Sequence, residues 1–469
     1  MRNIFFHSGS GHIPASRYLS LMNRFLCLLL ICIIGQIRLS AQGILDTLGN
    51  TIVRIETAVD SAQFAGGYAS GPWDLHLGPD GQLWFTDQTA IRRWHPVTGV
   101  ISTVLRVPSG YFMGLAHHSD FIHQPYVYAT IDTGYYYGQS TRIEVWRYRY
   151  NSAVDSLEDP LFLLSWYHPG EHSGGRMVFG QDSCLYIGTA DYAGLQWQDT
   201  LFMNSGKVLR VRPDGSVPSD NPRPDYSWTW GHRNPQGIVQ VPNGNIIVSE
   251  YGQINDELNL IRRGNHYGWI IFDGNQCIGS IDTCNAYQSS LTFPIDVGQN
   301  PPSGITWYDH PSIPELHGLV QAVTGINQGL IAYTMNATMD SVLNKQYYLR
   351  YEYGRVRDAC AGPDGSLYFI AYDRSSPRIM RVRNALNTGV SSTTFPEIAV
   401  FPNPCTDRIR FSTALPPTTT SAVLRNIQGE IVLHQKVEGN AGLLDVGMLP
   451  AGVYYLQVGN SVPKMLLKL

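Results

Sequence analysis

A phrase that returns four times between residues 43 and about 385 constrains this chain more than any other feature: a turn tetrapeptide followed by an alternating strand. It reads Gly78-Pro-Asp-Gly81 before Gln82 to Asp87, and Gly180-Gln-Asp-Ser183 before Cys184 to Asp191. It returns as Val241-Pro-Asn-Gly244 before Asn245 to Gly252, and as Gly362-Pro-Asp-Gly365 before Ser366 to Asp373. Pro-Asp-Gly and Pro-Asn-Gly set up type I turns, with glycine at the position that wants positive φ. The β-branched and aromatic residues that follow favour a strand. Two weaker units fit between these, with strands at Tyr126 to Thr130 and at Leu319 to Val323. Six units spaced roughly 40 to 80 residues apart predict a β-propeller, an all-β fold with functional loops at one end of a central channel. A β-sandwich with coincident turns is the competing architecture.

Composition agrees with many short strands. Aromatic residues make up 11% of the 469 residues, charged residues only 15%, and there are 46 glycines. The net charge of −4 offers no basic face, so nucleic acid is excluded as a partner. No CxxC pair, HExxH, GxSxG or phosphate-binding loop is present, which removes the familiar zinc, hydrolase and nucleotide chemistries.

The N-terminal residues 1–41 read as an export signal, with Met22 as a second candidate start. Arg24 precedes the apolar run Phe25 to Ile34, and Leu39-Ser40-Ala41 gives a small-residue cleavage pattern. That run is shorter than the roughly 20 apolar residues a membrane span needs. In an oxidising compartment Cys277 and Cys284, flanking a short loop, are a candidate disulfide. Cys184, Cys360 and Cys405 read as buried small hydrophobes.

The propeller is assigned to residues 42–388 and a linker to 389–397, leaving residues 398–469 as a separate domain. Within it, Ile398-Ala-Val-Phe-Pro-Asn-Pro-Cys405, Leu449-Pro-Ala-Gly-Val-Tyr454 and the terminal Lys464 to Leu469 resemble the C-terminal sorting domain of the type IX secretion system. Phe401 stands where that family usually has Tyr. The resemblance implies a small Ig-like β-sandwich, the type IX machinery as partner, and a secreted or cell-surface product carried through the periplasm and outer membrane.

Residues 169 to 270 concentrate polar side chains beside glycine and aromatics, as a pocket on a rigid scaffold requires. The runs GGRMVFGQDSCLYIGTAD (174–191), GKVLRVRPDGSVPSDNP (206–222), WGHRNPQG (230–237) and DELNLIRRGNHYGW (256–269) resemble the soluble glucose/sorbosone dehydrogenases. Those enzymes use pyrroloquinoline quinone (PQQ). The resemblance implies a six-bladed propeller and a PQQ- and calcium-dependent oxidoreductase acting on an aldose, with an external electron acceptor. By position, His172 matches the family's base, with Glu171 beside it as a candidate orienting group. Arg233 matches the residue that stabilises charge on the reduced quinone, and Asn234 its cofactor-contacting neighbour. Arg355 and Arg357 match two arginines facing the cofactor carboxylates. Gly252 and Gln253 match the carbonyls that hold the cofactor-bridging Ca2+, while Glu257 and Tyr267 match ligands of a structural Ca2+. Two departures stand out. A cofactor lysine of the family is missing near Gly325, and a glutamine is replaced in the stretch from Ser109 to Gly114. These departures keep a second reading open, a secreted propeller without catalysis that binds a glycan or a protein.

Overall fold

The computed structural model describes residues 43–64, 71–134, 141–168, 170, 172–192, 204–324, 329–372, 376–386, 398–413, 420–426, 431–437, 439, 441–459 and 464–469. The expected leader, the linker, Glu171 and Gly325 lie outside the described residues. The chain divides into two compact units, one ending at Leu386 and one running from Asn387 to Leu469.

The first unit contains six antiparallel sheets of four or five strands. Their leading strands are Leu75–Leu77, Tyr111–His117, Gly174–Phe179, Pro235–Gln240, Pro302–Tyr308 and Arg355–Ala361. Each packs on the next, and the last returns to the first, so the leading strands form a closed ring. The sixth sheet takes its fourth and fifth strands from the start of the unit: Thr51–Val59 pairs with Arg378–Asn384, and Ile44–Leu48 pairs with Thr51–Val59. That pairing ties the two ends of the unit with backbone hydrogen bonds. Apolar side chains fill the wedges between sheets; Leu83, Phe85, Tyr368 and Ile370 join the first and sixth. Burying a Leu or Phe of this kind stabilises by about 1.5–3 kcal/mol.

The four phrases and the two weaker units land on the same place in their sheets. Leu83–Asp87, Tyr126–Asp132, Leu185–Thr189, Ile246–Glu250, Leu319–Thr324 and Leu367–Tyr372 are each the second strand. Gly81, Gly244 and Gly365 take φ of 73°, 88° and 74°, and Ser183 takes 59° in the same turn position. The turn acid does more than shape the turn. Asp80 accepts from the Trp84 indole at 3.0 Å and from Arg93 at 2.8 Å. Asp182 accepts from the Tyr186 hydroxyl at 2.9 Å and from Arg210 at 2.8 Å, and Asp364 accepts from Arg381. In the first and third sheets the turn acid holds both the aromatic four residues on and an arginine from the third strand; in the sixth it holds the arginine, while the Tyr368 hydroxyl has no partner among the described residues. The fourth sheet has Asn243 and Ile247 at the acid and aromatic positions, and the brace is missing there.

One arginine spans the middle of the ring. Arg176 donates to Asp74 at 3.1 Å, to Trp73 O at 2.6 Å, to Arg357 O at 2.8 Å and also to Gln236 O. Its Nε lies 3.6 Å from Asp358. Burial alone would raise the Asp74 carboxyl. His76, a hydrogen bond with Asp358 and the Arg176 charge outweigh burial and hold Asp74 well below the usual carboxylate range. Burial pushes Asp358 well above that range; the nearby Asp74 adds to this against the pull of Arg176. Arg176 and His76 are the positive groups set against these two buried carboxyls, and such pairing is what makes buried charge tolerable.

The second unit is built from two antiparallel sheets. Ile398–Phe401, Arg408–Thr413 and Ala441–Asp445 form one; Ile431–Val437, Thr420–Asn426, Gly452–Val458 and Lys464–Lys468 form the other. Both sheets contribute to a single core containing Ile409, Phe411, Leu424, Leu444, Leu456 and Leu466.

Candidate active site

His172 lies just ahead of the third sheet's leading strand. Gly174 and Gly175, at φ of 66° and 103°, bend the chain there; a Cβ on Gly174 would sit 2.5 Å from Gly188 O. The bend brings the imidazole back to the end of the neighbouring second strand. There His172 Nδ1 lies 2.7 Å from Asp191 Oδ1. The other oxygen, Asp191 Oδ2, accepts from the Trp269 indole N–H at 2.9 Å. A carboxyl group receiving donors on both oxygens places the imidazole proton on Nδ1 and leaves Nε2 as the basic nitrogen. The imidazole is only 16% exposed, and Asp191 is buried.

Asp191 also ties the histidine to Arg233, since its backbone N–H donates to Arg233 O at 2.7 Å. The Arg233 guanidinium lies 5.2 Å from the Trp269 ring and 5.3 Å from the Tyr251 ring. Its Nη1 donates to Tyr251 O at 2.9 Å and Gly252 O at 2.8 Å, while its Nε is buried with no partner among the described residues. The backbone holding it is itself fixed. The Arg233 N–H donates to Glu250, whose other oxygen lies 2.9 Å from His232 Nδ1. Asn234 is buried, its side-chain oxygen accepting from Gln236 at 2.8 Å.

Arg357 enters from the sixth sheet. Its guanidinium carbon lies 4.3 Å from the Trp73 ring and 3.9 Å from the Tyr372 ring. Its Nε and Nη1 are buried without a partner among the described residues. Arg355, two residues earlier, is exposed. Burial, with the guanidiniums of Arg357 and Arg176, pushes it down to about 10, and Tyr372 and Tyr251 pull in the opposite direction. Tyr251 lies near both Arg233 and Arg355. His172 and Arg233 are joined through Asp191 and Trp269, and Arg355 and Arg357 lie with Tyr372 at the sixth sheet; these two groups, with Tyr251 near one arginine of each, make up the candidate recess. Buried guanidinium N–H groups without acceptors, framed by aromatic rings, suit a planar polyanion.

The two expected cation positions differ. At Gly252 no side chain fits, because a Cβ would lie 1.7 Å from Asn255 O. Asp273 anchors the loop by accepting from the Ile254 N–H at 2.6 Å and also from Gln253 and Asn255. The Gly252 carbonyl accepts from Arg233 Nη1, which leaves one lone pair of that oxygen. The Glu257 position suits a cation better. Burial and the nearby Glu250 carboxyl push Glu257 well above the usual range. Asn259 Nδ2 donates to Glu257 at 2.8 Å and to Glu250 at 3.3 Å, and Asn259 Oδ1 is a buried acceptor with no partner among the described residues. Hard oxygen donors short of positive charge are what calcium takes. Tyr267 packs beside them, its ring stacked 4.6 Å from His232.

Glu171, the sequence-based candidate for orienting His172, lies outside the described residues; among the described ones Asp191 holds the ring. Asp191 closes a buried strand run (184–191), and an acid at that point was the available signal. Trp269, Trp73, Tyr251 and Tyr372 were missed as walls, because an aromatic at a strand end reads as core in sequence. Cys277 and Cys284 are bonded at 2.06 Å and close the loop that follows Trp269.

Residues 69–381 match the family described as Glucose / Sorbosone dehydrogenase, and residues 399–469 match the Secretion system C-terminal sorting domain. The latter indicates type IX secretion to the cell surface or beyond. Among curated relatives, Quinoprotein glucose dehydrogenase B of Acinetobacter calcoaceticus is 35% identical over 239 residues, 42% of this chain and 50% of that one. The chain thus spans half the length of that relative. Among solved structures, the PQQ-bound Aldose Sugar Dehydrogenase of Streptomyces coelicolor has a TM-score of 0.57 at 25% identity. That match covers 71% of this chain and 98% of the other. The apo Aldose sugar dehydrogenase of Escherichia coli shares the fold, with a TM-score of 0.61 at 22% identity over 71% and 99% of the two chains. The chain belongs to the glucose/sorbosone dehydrogenase family and ends in a secretion sorting domain.

Proposed function

We propose that the first unit is a six-bladed β-propeller that oxidises the anomeric hydroxyl of an aldose, with PQQ as its redox cofactor. The observation that carries this is the set of buried, unpartnered guanidinium N–H groups on Arg233 and Arg357 beside the His172–Asp191 pair. Arg355, Arg357, Arg233 and Asn234 are the residues that would hold the cofactor's anionic and carbonyl groups. When bound, PQQ supplies an electrophilic quinone able to accept a hydride. His172 Nε2 removes the hydroxyl proton of the sugar as the C1–H bond gives up its hydride, leaving a lactone; Asp191 stabilises the resulting imidazolium. Arg233 stabilises negative charge developing on the acceptor oxygen. The two electrons then leave to an external acceptor.

Calcium is proposed at Glu257 with Tyr267, where Glu250 and Asn259 add oxygen donors. A second ion at Gly252 and Gln253 would share the Gly252 carbonyl with Arg233. We assign residues 1–41 to an export leader, and residues 398–469 to an Ig-like sorting domain that directs passage through the outer membrane.

The test is reconstitution of the chain from residue 42 with PQQ and Ca2+, followed by dye reduction with a panel of aldoses. Saturable PQQ binding and aldose-dependent dye reduction are expected. No PQQ binding at micromolar concentration eliminates the oxidoreductase. Bound PQQ with no aldose oxidised points instead to a binding propeller, the reading favoured by the absence of lysine around Gly325.

A further inference from the structure

In the first four sheets an acid at the end of the second strand meets a basic side chain. Asp87, Asp132 and Glu250 are the last residues of their second strands, and Asp191 follows its own by two. Arg92 Nη1 donates to Asp87 at 2.9 Å, and His168 Nε2 lies 3.2 Å from Asp132 Oδ2. His172 Nδ1 lies 2.7 Å from Asp191, and His232 Nδ1 lies 2.9 Å from Glu250. Two of these pairs serve the recess directly. His172 is the proposed base, and Glu250 joins His232 to the backbone N–H of Arg233. The pair of His168 and Asp132, both buried, stands four residues ahead of the base.

His168 ends the strand Ser156–His168, and the chain runs from it to the leading strand Gly174–Phe179 with His172 between. That connection bends on glycine: Gly170 takes φ of 91°, ahead of the two positive φ values at Gly174 and Gly175. Glycine permits the bend but leaves an unanchored chain many conformations to sample. Two side chains of the preceding strand anchor it, one on each side of the base. The Gly170 N–H donates to His168 Nδ1 at 3.2 Å, and the Trp166 indole N–H donates to Ser173 O at 3.1 Å. A ring nitrogen that accepts from an N–H carries no proton, so the His168 proton sits on Nε2 and points to Asp132. Asp132 is fixed in turn, its Oδ1 accepting from the Gly134 N–H at 3.1 Å. His168 and His172 therefore hold opposite tautomers, Nε2–H in the first and Nδ1–H in the second.

We infer that His168, backed by Asp132, is a positioning residue for the oxidation: it grips the connection at Gly170 and so keeps His172 Nε2 in place. The inference rests on the reading of His172 as the base. His168 acts through His172 and takes no proton from the sugar, because the protein engages both of its ring nitrogens. Losing the grip loosens the bend, and a shift of about 1 Å in a reacting group can cost about a hundredfold in rate.

The test compares the full chain of wild type with His168→Phe, which keeps an aromatic ring but neither hydrogen bond, and with His168→Gln, whose amide both accepts and donates. Loaded with PQQ and Ca2+ and given the aldose that wild type oxidises fastest, His168→Phe should lose about ten- to a hundredfold in kcat. KM and PQQ affinity should stay at wild-type values, and His168→Gln should recover most of the lost rate. Imidazole 15N NMR of the cofactor-free proteins, assigned with His168→Gln and His172→Gln, reads the same grip without turnover. In wild type His168 should show the Nε2–H pattern and His172 the Nδ1–H pattern. In His168→Phe the His172 signals should move toward a mixture of tautomers. An unchanged kcat, a loss shared by KM and PQQ affinity, or His172 signals indifferent to residue 168 would overturn the positioning role. Should His168→Phe not fold, an Nδ1–H pattern for His168 in wild type, or no change of the His172 signals in His168→Gln relative to a folded His168→Ala, overturns it as well. If wild type oxidises no aldose, the oxidoreductase reading fails, and the NMR comparison alone decides whether His168 holds His172.

Discussion

Two sets of arginines in the same unit are treated in opposite ways. In the frame, Arg93, Arg210 and Arg381 each meet a turn carboxylate. Arg210 meets Asp220 and Asn221 as well. Arg176 at the centre of the ring donates to four acceptors. In the recess, Arg233 and Arg357 lie on aromatic rings with buried N–H groups that meet nothing in the protein described. A folded chain rarely leaves such donors unmet, because each costs about 1–3 kcal/mol. Arg92, Arg147 and Arg378 also bury an unpartnered Nε, but among the described residues Arg357 alone leaves two buried guanidinium nitrogens unmet, and that surplus is what an anionic guest would satisfy. The frame and the recess are adjacent, since Arg176 donates to the backbone carbonyl of Arg357.

The largest effect should come from breaking the saturated side. Arg176→Met leaves the buried Asp74 and Asp358 without their guanidinium, with His76 and the Leu115 N–H still on Asp74, and should cost about 3–5 kcal/mol in urea unfolding. A loss below about 1 kcal/mol would mean that the central cluster does not hold the ring. On the unsaturated side, His172→Gln should lower turnover about a thousandfold while PQQ affinity and melting temperature stay at wild-type values. A fall in both affinity and stability would make His172 a structural residue.

A smaller effect sharpens the rule. His117 Nε2 is also a buried orphan, but it belongs to the frame, with its ring 5.0 Å from Trp84 and 5.3 Å from Phe121. Burial, with the nearby His76, pushes it down to about 3. The unfolded ring takes up a proton near its ordinary 6.5 while the folded ring does not. Between those values the unfolded chain binds more protons, so stability falls as pH drops below 6.5. His117→Phe should remove that loss, gaining about 1–2 kcal/mol at pH 5 and much less at pH 8, with no change in cofactor binding. An equal gain at both pH values would show that packing, and not titration, explains it.

Much of the frame was legible in the sequence because its signals are local. A turn such as Gly-Pro-Asp-Gly is set locally, the next five residues alternate, and that phrase marks the second strand in four of the six sheets. Even the weak units at Tyr126 and Leu319 fell on second strands, since strand propensity survived where the turn motif had decayed. The brace was not legible, because Arg93, Arg210 and Arg381 lie 13 to 28 residues from the acids they meet. The recess was half legible. His172, Arg233, Arg355 and Arg357 could be picked out by resemblance, but Asp191, Trp269 and Tyr251 become neighbours only when the ring closes. The cation positions show the same limit: Glu257 could be picked out, whereas the unmet oxygen of Asn259 is visible only once Glu250 and Glu257 are brought to its amide.

The most direct test compares PQQ titration and thermal unfolding of wild type with those of Arg357→Met, which keeps apolar bulk between Trp73 and Tyr372. If Arg357 waits for a cofactor carboxylate, PQQ affinity should weaken about ten- to a hundredfold, while the cofactor-free variant melts at or above the wild-type temperature. Unchanged PQQ affinity, or a cofactor-free variant as unstable as Arg176→Met, would contradict the distinction between the two sets of arginines.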